Sequence, residues 1–282
     1  DIKFLMPFYD GADADVIPVY ESSHQFQGYL IQAYEKLKDI PCTHYLFIGD
    51  DVLIRPDLDE TNFIEQTNMH GKKFLGREFT PLNSPNKFRW CWTAGFSRSF
   101  YDTSTSWRNS LPTYQEAISK FNDFFGAKYN EVYDEAFFGD PRIPGSTVLG
   151  GWNTPEGFIN VVRNFILTNG NTLHIPYPMA GSGCTGDIFC LDKGNLFEFS
   201  RLCGIFSAMN LFVEIAVSTA TVLTFKRDDV AFFPRTSEII MWGKDRDIFA
   251  DKYGRDVARL FSEWDANFIY VHPVKLSGWK VS

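Results

Sequence analysis

The stretch Tyr45-Leu46-Phe47-Ile48-Gly49-Asp50-Asp51 runs from an apolar, aromatic and β-branched segment straight into adjacent carboxylates. A run with so little polar alternation is expected of a central strand covered on both faces, and the end of such a strand is where α/β proteins hold ligands. Two acids beside a core are costly unless a cation or hydrogen-bond donors meet them. Hard oxygen ligands in that position suit Mg²⁺ or Mn²⁺ carrying a phosphate. The plain alternative is an acidic turn with solvated side chains.

Near the other end of the chain, Val271-His272-Pro273-Val274-Lys275 places an imidazole and an ammonium three residues apart, just after an expected strand. That spacing could hold a metal together with a diphosphate riding on it, although a lone histidine is otherwise a structural residue. Glu214 lies in Leu211-Phe212-Val213-Glu214-Ile215-Ala216, an acid in apolar company at the expected start of a helix. Apolar surroundings make a carboxylate a better proton acceptor and a helix amino terminus opposes that, so Glu214 is either a general base or a capping or salt-bridged carboxylate. Asp187 is the second candidate base. It follows Gly181-Ser182-Gly183-Cys184-Thr185-Gly186, which fits G-x-G-x-x-G, but a dinucleotide fingerprint must open a helix and Ile188 to Leu191 reads as a strand. A glycine-rich bend beside a substrate, with Asp187 next to it, is the better reading.

The elements that must position these groups follow an α/β pattern. A first strand ends at Pro7 and leads into Phe8, Tyr9 and Asp10. Ser22-Ser23-His24-Gln25 has the form of a capping box before a helix carrying Phe26, Tyr29, Leu30, Ala33, Tyr34 and Leu37. Strand, helix and the acid-tipped strand are expected to form one βαβ unit, with the strands bearing Pro7 and Gly49 parallel. Further on we expect a short helix near 60–66, strands near 74–75 and 89–96, and a helix opened by a capping box at Thr113 and Glu116. A glycine- and proline-rich linker over 137–152 marks a soft boundary. A helix over 154–168, strands over 173–177 and 187–191, two helices meeting near Asn210, a strand near 230–233, a last long helix from Ile248 to Trp264 and a last strand over 267–271 complete the pattern.

The chain has 282 residues, enough for a substantial core, and its 44% apolar and 22% charged content is that of a globular protein. A net charge of -8 argues against a nucleic-acid partner, whose phosphates demand a basic face. It does not argue against a nucleotide whose countercharge is a divalent cation. Aromatic usage of 17% is heavy; a core can absorb it, but it also supplies surfaces on which bases and sugar rings can stack. The five cysteines, Cys42, Cys91, Cys184, Cys190 and Cys203, lack C-x-x-C spacing, so neither a disulfide framework nor a zinc site is indicated and reduced thiols in a cytoplasmic setting are expected. The first residues, Asp1-Ile2-Lys3-Phe4-Leu5-Met6-Pro7, are not expected to be a secretory leader. The apolar tract from Ile205 to Phe225 is interrupted by Asn210 and Glu214 and reads as buried helices, with no membrane span.

In chain order, Met6-Pro7-Phe8-Tyr9-Asp10, then Ile48-Gly49-Asp50-Asp51, then His272 with Lys275 resemble the metal-dependent glycosyltransferases of the GT-A fold. The resemblance implies one GT-A-like catalytic domain with a Rossmann-like nucleotide-sugar-binding half (1–150) and an acceptor-binding half (151–282) around a central mixed sheet. It implies that Pro7, Phe8, Tyr9 and Asp10 receive the nucleoside, Asp50 lies near the ribose, Asp51 and His272 bind Mn²⁺ or Mg²⁺, and Lys275 contacts the diphosphate. Glu214, or else Asp187, would then deprotonate the acceptor in an inverting displacement. Gly49 stands where the fuller D-x-D pattern has its first acid. Length and layout are also similar to the small transferases that large algal viruses use on capsid glycans, which implies a UDP-sugar donor, UDP-xylose among them, and a glycan acceptor. A nucleotidyltransferase or phosphohydrolase could use the same aspartates, and a carbohydrate-binding module would explain the aromatics without the Asp, His and Lys set.

Overall fold

The computed structural model describes residues 2–81, 109–131, 177–181 and 186–281. Expectations that fall elsewhere, namely the strand over 89–96, the linker over 137–152 with the boundary near 150, the helix over 154–168 and most of 173–177, lie outside the described residues. The same is true of the middle of the glycine-rich bend.

The class is α/β, with mixed sheets. The largest sheet has the order β3 (His44–Ile48), β8 (Ile188–Asp192), β5 (Phe74–Gly76) and β9 (Val230–Phe232). Here β8 runs antiparallel to both neighbours and β5 runs parallel to β9. Period-two alternation divides its side chains between two cores. Phe74, Phe189 and Leu191 face a large cluster built with α4 (Leu196–Ala208) and α5 (Val213–Thr224), where Phe74 packs on Phe199 and Phe225 at ring separations of 5.7 and 5.4 Å. Leu75, Ile188 and Cys190 face a second cluster with Met69, Phe233 and Tyr270. Helix α5 is buried over Val213–Leu223, as a helix that is apolar on every side must be. Among the described residues no helix is long and apolar enough to cross a membrane, and Cys42, Cys190 and Cys203 are free thiols.

A second sheet, in the order β10 (Glu238–Ile240), β11 (Tyr270–His272) and β4 (Leu53–Ile54), joins the end of the chain to its first third. Arg77 lies 2.9 Å from Glu238 in an ion pair, and Tyr270 donates its hydroxyl to the same carboxylate, which fastens β10 and β11 to the end of β5. Strands from both sides of the expected boundary share each of these sheets.

Several expectations are corrected. The strand β3 lies at an edge of its sheet among the described residues, with Ile48 41% exposed, while β8 is the strand buried on both faces. The βαβ unit is not formed as drawn. The ladder partner of β1 (Phe4–Pro7) is β2 (Val16–Val19), a parallel pair that the sequence reading missed, whereas β3 hydrogen-bonds antiparallel to β8. The Ser22 box does not cap a helix: Ser22 donates to the Gln25 side chain, a 3₁₀ turn follows over Phe26–Gly28, and α1 (Tyr29–Leu37) begins after it. The last long helix is broken into α6 (Lys244–Lys252) and α7 (Val257–Ser262), because Gly254 and Arg255 adopt φ of +63° and +52° between them. The Thr113 and Glu116 box does form, at the start of α3 (Tyr114–Phe125), and α4 and α5 meet at Asn210 with φ of +57°.

Helices α1 and α4 cross so closely that a Cβ on Gly204 would come within 2.6 Å of Ile31 Cγ2 and 3.2 Å of its Cβ. Ile31 is β-branched and cannot swing aside. Gly204→Ala gains about 1 kcal/mol of helix propensity but overpacks this contact at about 1 to 3 kcal/mol. We therefore expect a net loss of about 1 kcal/mol in urea unfolding; a midpoint equal to or above that of the wild type would show that the helices can part freely.

Candidate functional site

The end of β3 is where the two larger sheets meet. The register Ile48 against Ile188 sets Gly49 opposite Asp187, and the Gly49 amide donates to the Asp187 carbonyl at 2.7 Å. After the turn, β4 pairs antiparallel with β11, Leu53 against Val271, so that His272 comes level with the turn and the Val274 amide donates to the Asp51 carbonyl at 2.7 Å. One turn thus brings together side chains from residues 51, 187, 272 and 275.

His272 Nε2 lies 3.4 Å from Asp51 Oδ1 and 3.6 Å from Asp187 Oδ2, with both histidine and carboxylates largely shielded from solvent. Lys275 Nζ lies 2.5 Å from Asp51 Oδ2. Burial pushes the Asp51 carboxyl up, but the hydrogen bonds and charges of His272 and Lys275 outweigh it and hold the group at about 2. The Nδ1 atom of His272 is buried without a hydrogen-bond partner among the described residues, while Nε2 carries the proton that faces the carboxylates.

Two hard carboxylates and an imidazole are a donor set that Mn²⁺, and with fewer nitrogens Mg²⁺, accepts. Donors about 2.1 Å from one ion lie about 3 to 3.5 Å from each other, close to the separations of Nε2 from the two carboxylates. Among the described residues no group of three or more His, Cys, Asp or Glu side chains is already gathered as a metal cage. Asp51 instead has the Lys275 ammonium as its cation. Asp187, the second carboxylate, comes from the neighbouring strand and stands on the side where Gly49 carries no acid. A Cβ at Gly49 would lie 3.4 Å from the Asp187 carbonyl and 3.5 Å from Asp51 Oδ1, so an acid placed there would crowd negative charge onto both.

Asp50 points elsewhere and is exposed. Its charge acts on Tyr29, whose hydroxyl is pushed up first by burial and then by Glu21 and Asp50, so Asp50 faces the start of α1. Pro7, Phe8 and Asp10 are exposed at the end of β1; Phe8 has φ of +55° and meets Tyr20 edge-to-face at 6.0 Å. Tyr9 is half-buried and its hydroxyl accepts from the Asp13 amide at 3.3 Å. Glu214 is buried in the first turn of α5. It stands next to Val213, whose side chain is so close to Gly186 that a Cβ there would meet it at 2.6 Å, and Gly186 precedes Asp187.

The structure therefore brings Asp51, Asp187, His272 and Lys275 into one cluster, leaves Asp50 and most of the end of β1 exposed, and buries Glu214 at a helix start. The reading of the sequence missed Tyr29 on the Asp50 flank and Trp242, whose ring lies edge-on to His272 at 5.5 Å. The register of β10 on β11 reveals Trp242, and the placement of α1 reveals Tyr29; both are remote in sequence from the acids. Comparison with protein-family models, curated protein sequences and solved structures returned no match to this chain.

Because the folded-state value of Asp51 lies below the ordinary 3.8, its contribution to stability is fully present above pH about 4 and is lost as pH falls toward about 2. The shift corresponds to up to about 2 kcal/mol at low ionic strength and less in salt, since Lys275 is more than half exposed. We expect Asp51→Asn to be less stable than the metal-free wild type at pH 5 and the gap to shrink steadily below pH 4, to a small fraction of its size near pH 2, in denaturant titrations of both proteins. A gap that is independent of pH would mean that the His272 and Lys275 contacts do not hold the carboxylate.

Proposed function

We propose that the chain is a glycosyltransferase of the GT-A type that moves a sugar from a nucleoside diphosphate donor, with UDP as carrier, to a hydroxyl of a glycan. The observation that carries this reading is the convergence of Asp51, Asp187 and His272 at the end of β3, with the Lys275 ammonium beside them. Asp51, His272 and Asp187 would hold Mn²⁺ or Mg²⁺. Bound there, the ion supplies positive charge to the diphosphate as it departs.

The chain's own residues account for the rest. Asp50, exposed on the flank that faces Tyr29 and Glu21, accepts from ribose hydroxyls, and Phe8 at the end of β1 offers its exposed ring to the base. Lys275 is more than half exposed on a flexible stem; it leaves Asp51 when diphosphate oxygens arrive and places its charge where negative charge accumulates. Glu214 takes the acceptor hydroxyl proton as the new C–O bond forms at the anomeric carbon and the bond to the diphosphate breaks, with UDP leaving on the bonding pair. Asp187, set against His272, belongs to the ion and diphosphate side, which leaves Glu214 as the base and inversion as the outcome. Hydrolysis of a phosphoanhydride could use the same aspartates and histidine, and release of phosphate or UMP from UDP without sugar transfer would favour that reading.

Calorimetric titration with UDP should show binding that depends on Mn²⁺ and is weakened at least tenfold, about 1.4 kcal/mol, in Asp51→Asn. Lys275→Ala should bind Mn²⁺ alone more tightly, since the ammonium no longer competes for Asp51, and should bind UDP with Mn²⁺ more weakly. UDP affinity that ignores both metal and Asp51 would sink the proposal.

Glu214→Gln separates the roles further. Removing a general base typically lowers rate by a factor of about 10² to 10⁴, so transfer should fall by that amount while UDP affinity stays within about twofold. The product should carry the anomeric configuration opposite to the donor's. Normal turnover in the variant, or a retained configuration by NMR, would remove Glu214 from the mechanism.

A further inference from the structure

We infer that Trp242 is a stacking platform for a pyranose ring beside the Asp51 cluster, an assignment that deepens the transferase reading and rests on it for the identity of the neighbouring groups. The backbone fixes the position of this residue. The register Ile240 against His272 continues one step through the Met241 amide, which donates to the His272 carbonyl at 3.0 Å, so the next residue necessarily stands at the mouth of the cluster. Gly243, with φ of +57°, turns the chain away at once into α6.

Alternation then decides which way each side chain goes. Met241 is 6% exposed in a small core with Val271 and Val274, whereas Trp242 is 54% exposed. Its indole lies at 82° to the imidazole of His272, which is itself 3% exposed. The buried histidine thus meets the indole at nearly a right angle, while about half of the tryptophan stays open to water. Large apolar side chains left open beside a polar cluster mark ligand sites, and the electron-rich indole face attracts the C–H-rich face of a sugar. A sugar ring is neutral, so it needs no charged partner at this point.

The order of groups around the turn favours a sugar over a base. Asp50 is exposed and close enough to Tyr29, the first residue of α1, for its charge to act on that hydroxyl. Asp51 and Lys275 form the charged centre. Trp242 stands against His272, the residue that shares Asp51 with Lys275. A nucleotide sugar laid across the turn with its ribose at Asp50 and its diphosphate at Lys275 would bring its next group, the sugar, toward the indole. The ring on Trp242 can come from the donor or from the acceptor glycan.

The test measures, in Mn²⁺, the affinities of wild type, Trp242→Ala and Trp242→Phe for UDP, UDP-glucose, UDP-galactose and UDP-xylose, and the quenching of tryptophan fluorescence by cellotetraose and xylotetraose. For a donor ring, the ratio of UDP-sugar to UDP affinity falls about tenfold in Trp242→Ala and recovers in Trp242→Phe, which keeps a stacking face. For an acceptor ring, the oligosaccharide response is lost in Trp242→Ala while all UDP ligands bind as before. Either result supports the platform. Unchanged sugar responses in Trp242→Ala, no sugar response in the wild type, or a parallel loss of UDP itself would overturn it, the last by placing the base on the indole. Failure of the wild type to bind UDP while an oligosaccharide response depends on Trp242 would remove the transferase reading and leave the sugar platform standing. Near-ultraviolet circular dichroism of each variant confirms that the fold is intact.

Discussion

The turn from Gly49 to Val52 passes the chain from one sheet to the other, and a backbone hydrogen bond fixes it on each side. The Gly49 amide is held by the Asp187 carbonyl and the Asp51 carbonyl by the Val274 amide, each at 2.7 Å. Peptide groups are obligatory hydrogen-bonding partners once shielded from water, so these two contacts set where the side chains of the turn can go. The proximity of Asp51 to His272 and Lys275 follows from this junction. Without it, β4 and β11 would have no reason to bring the last part of the chain to the first.

The cores explain why the junction is rigid. Stacked and tilted rings of Phe47, Phe74, Phe189, Phe199 and Phe225 lie on one side of the large sheet, and Leu75, Ile188 and Cys190 on the other. A sheet clamped on both faces transmits little play to the strand ends. On the neighbouring sheet, Glu238 has its charge met by Arg77 and the Tyr270 hydroxyl, so the acid nearest to β11 is neutralised within the fold. The carboxylates of Asp51 and Asp187, at the ends of β3 and β8, instead share one histidine, and Asp51 also pairs with the more than half-exposed Lys275.

Much of this was legible in the residues. The apolar run over Tyr45 to Ile48, the Thr113 box, the strand after Gly186 and the buried helices around Asn210 all stand where local pattern places them, because each depends on neighbours within a few positions. What failed depended on distant partners. Nothing local distinguishes an edge strand with one covered face from a central one, so the sequence of β3 suits a central strand although, among the described residues, β8 holds that place. Ser22 satisfied the pattern of a cap, yet its hydroxyl turned to the Gln25 side chain and the helix began later. Of the candidate site, Asp51, His272 and Lys275 were read from types and spacing. The approach of Asp187 to His272 and the place of Trp242 required the register of strands more than a hundred residues removed from the turn.

That separation has a consequence for how the cluster comes into being. Asp51 and His272 are brought together by ladder contacts across most of the chain, and contacts of such high sequence separation bear the largest loop-closure entropy and form late in folding. The cluster is therefore a property of the completed molecule alone: a nascent or partly unfolded chain carries all of its residues but none of its geometry. Any ligand gripped jointly from both ends of the chain draws on the stability of the entire fold, and in return adds its binding energy to that fold as a whole.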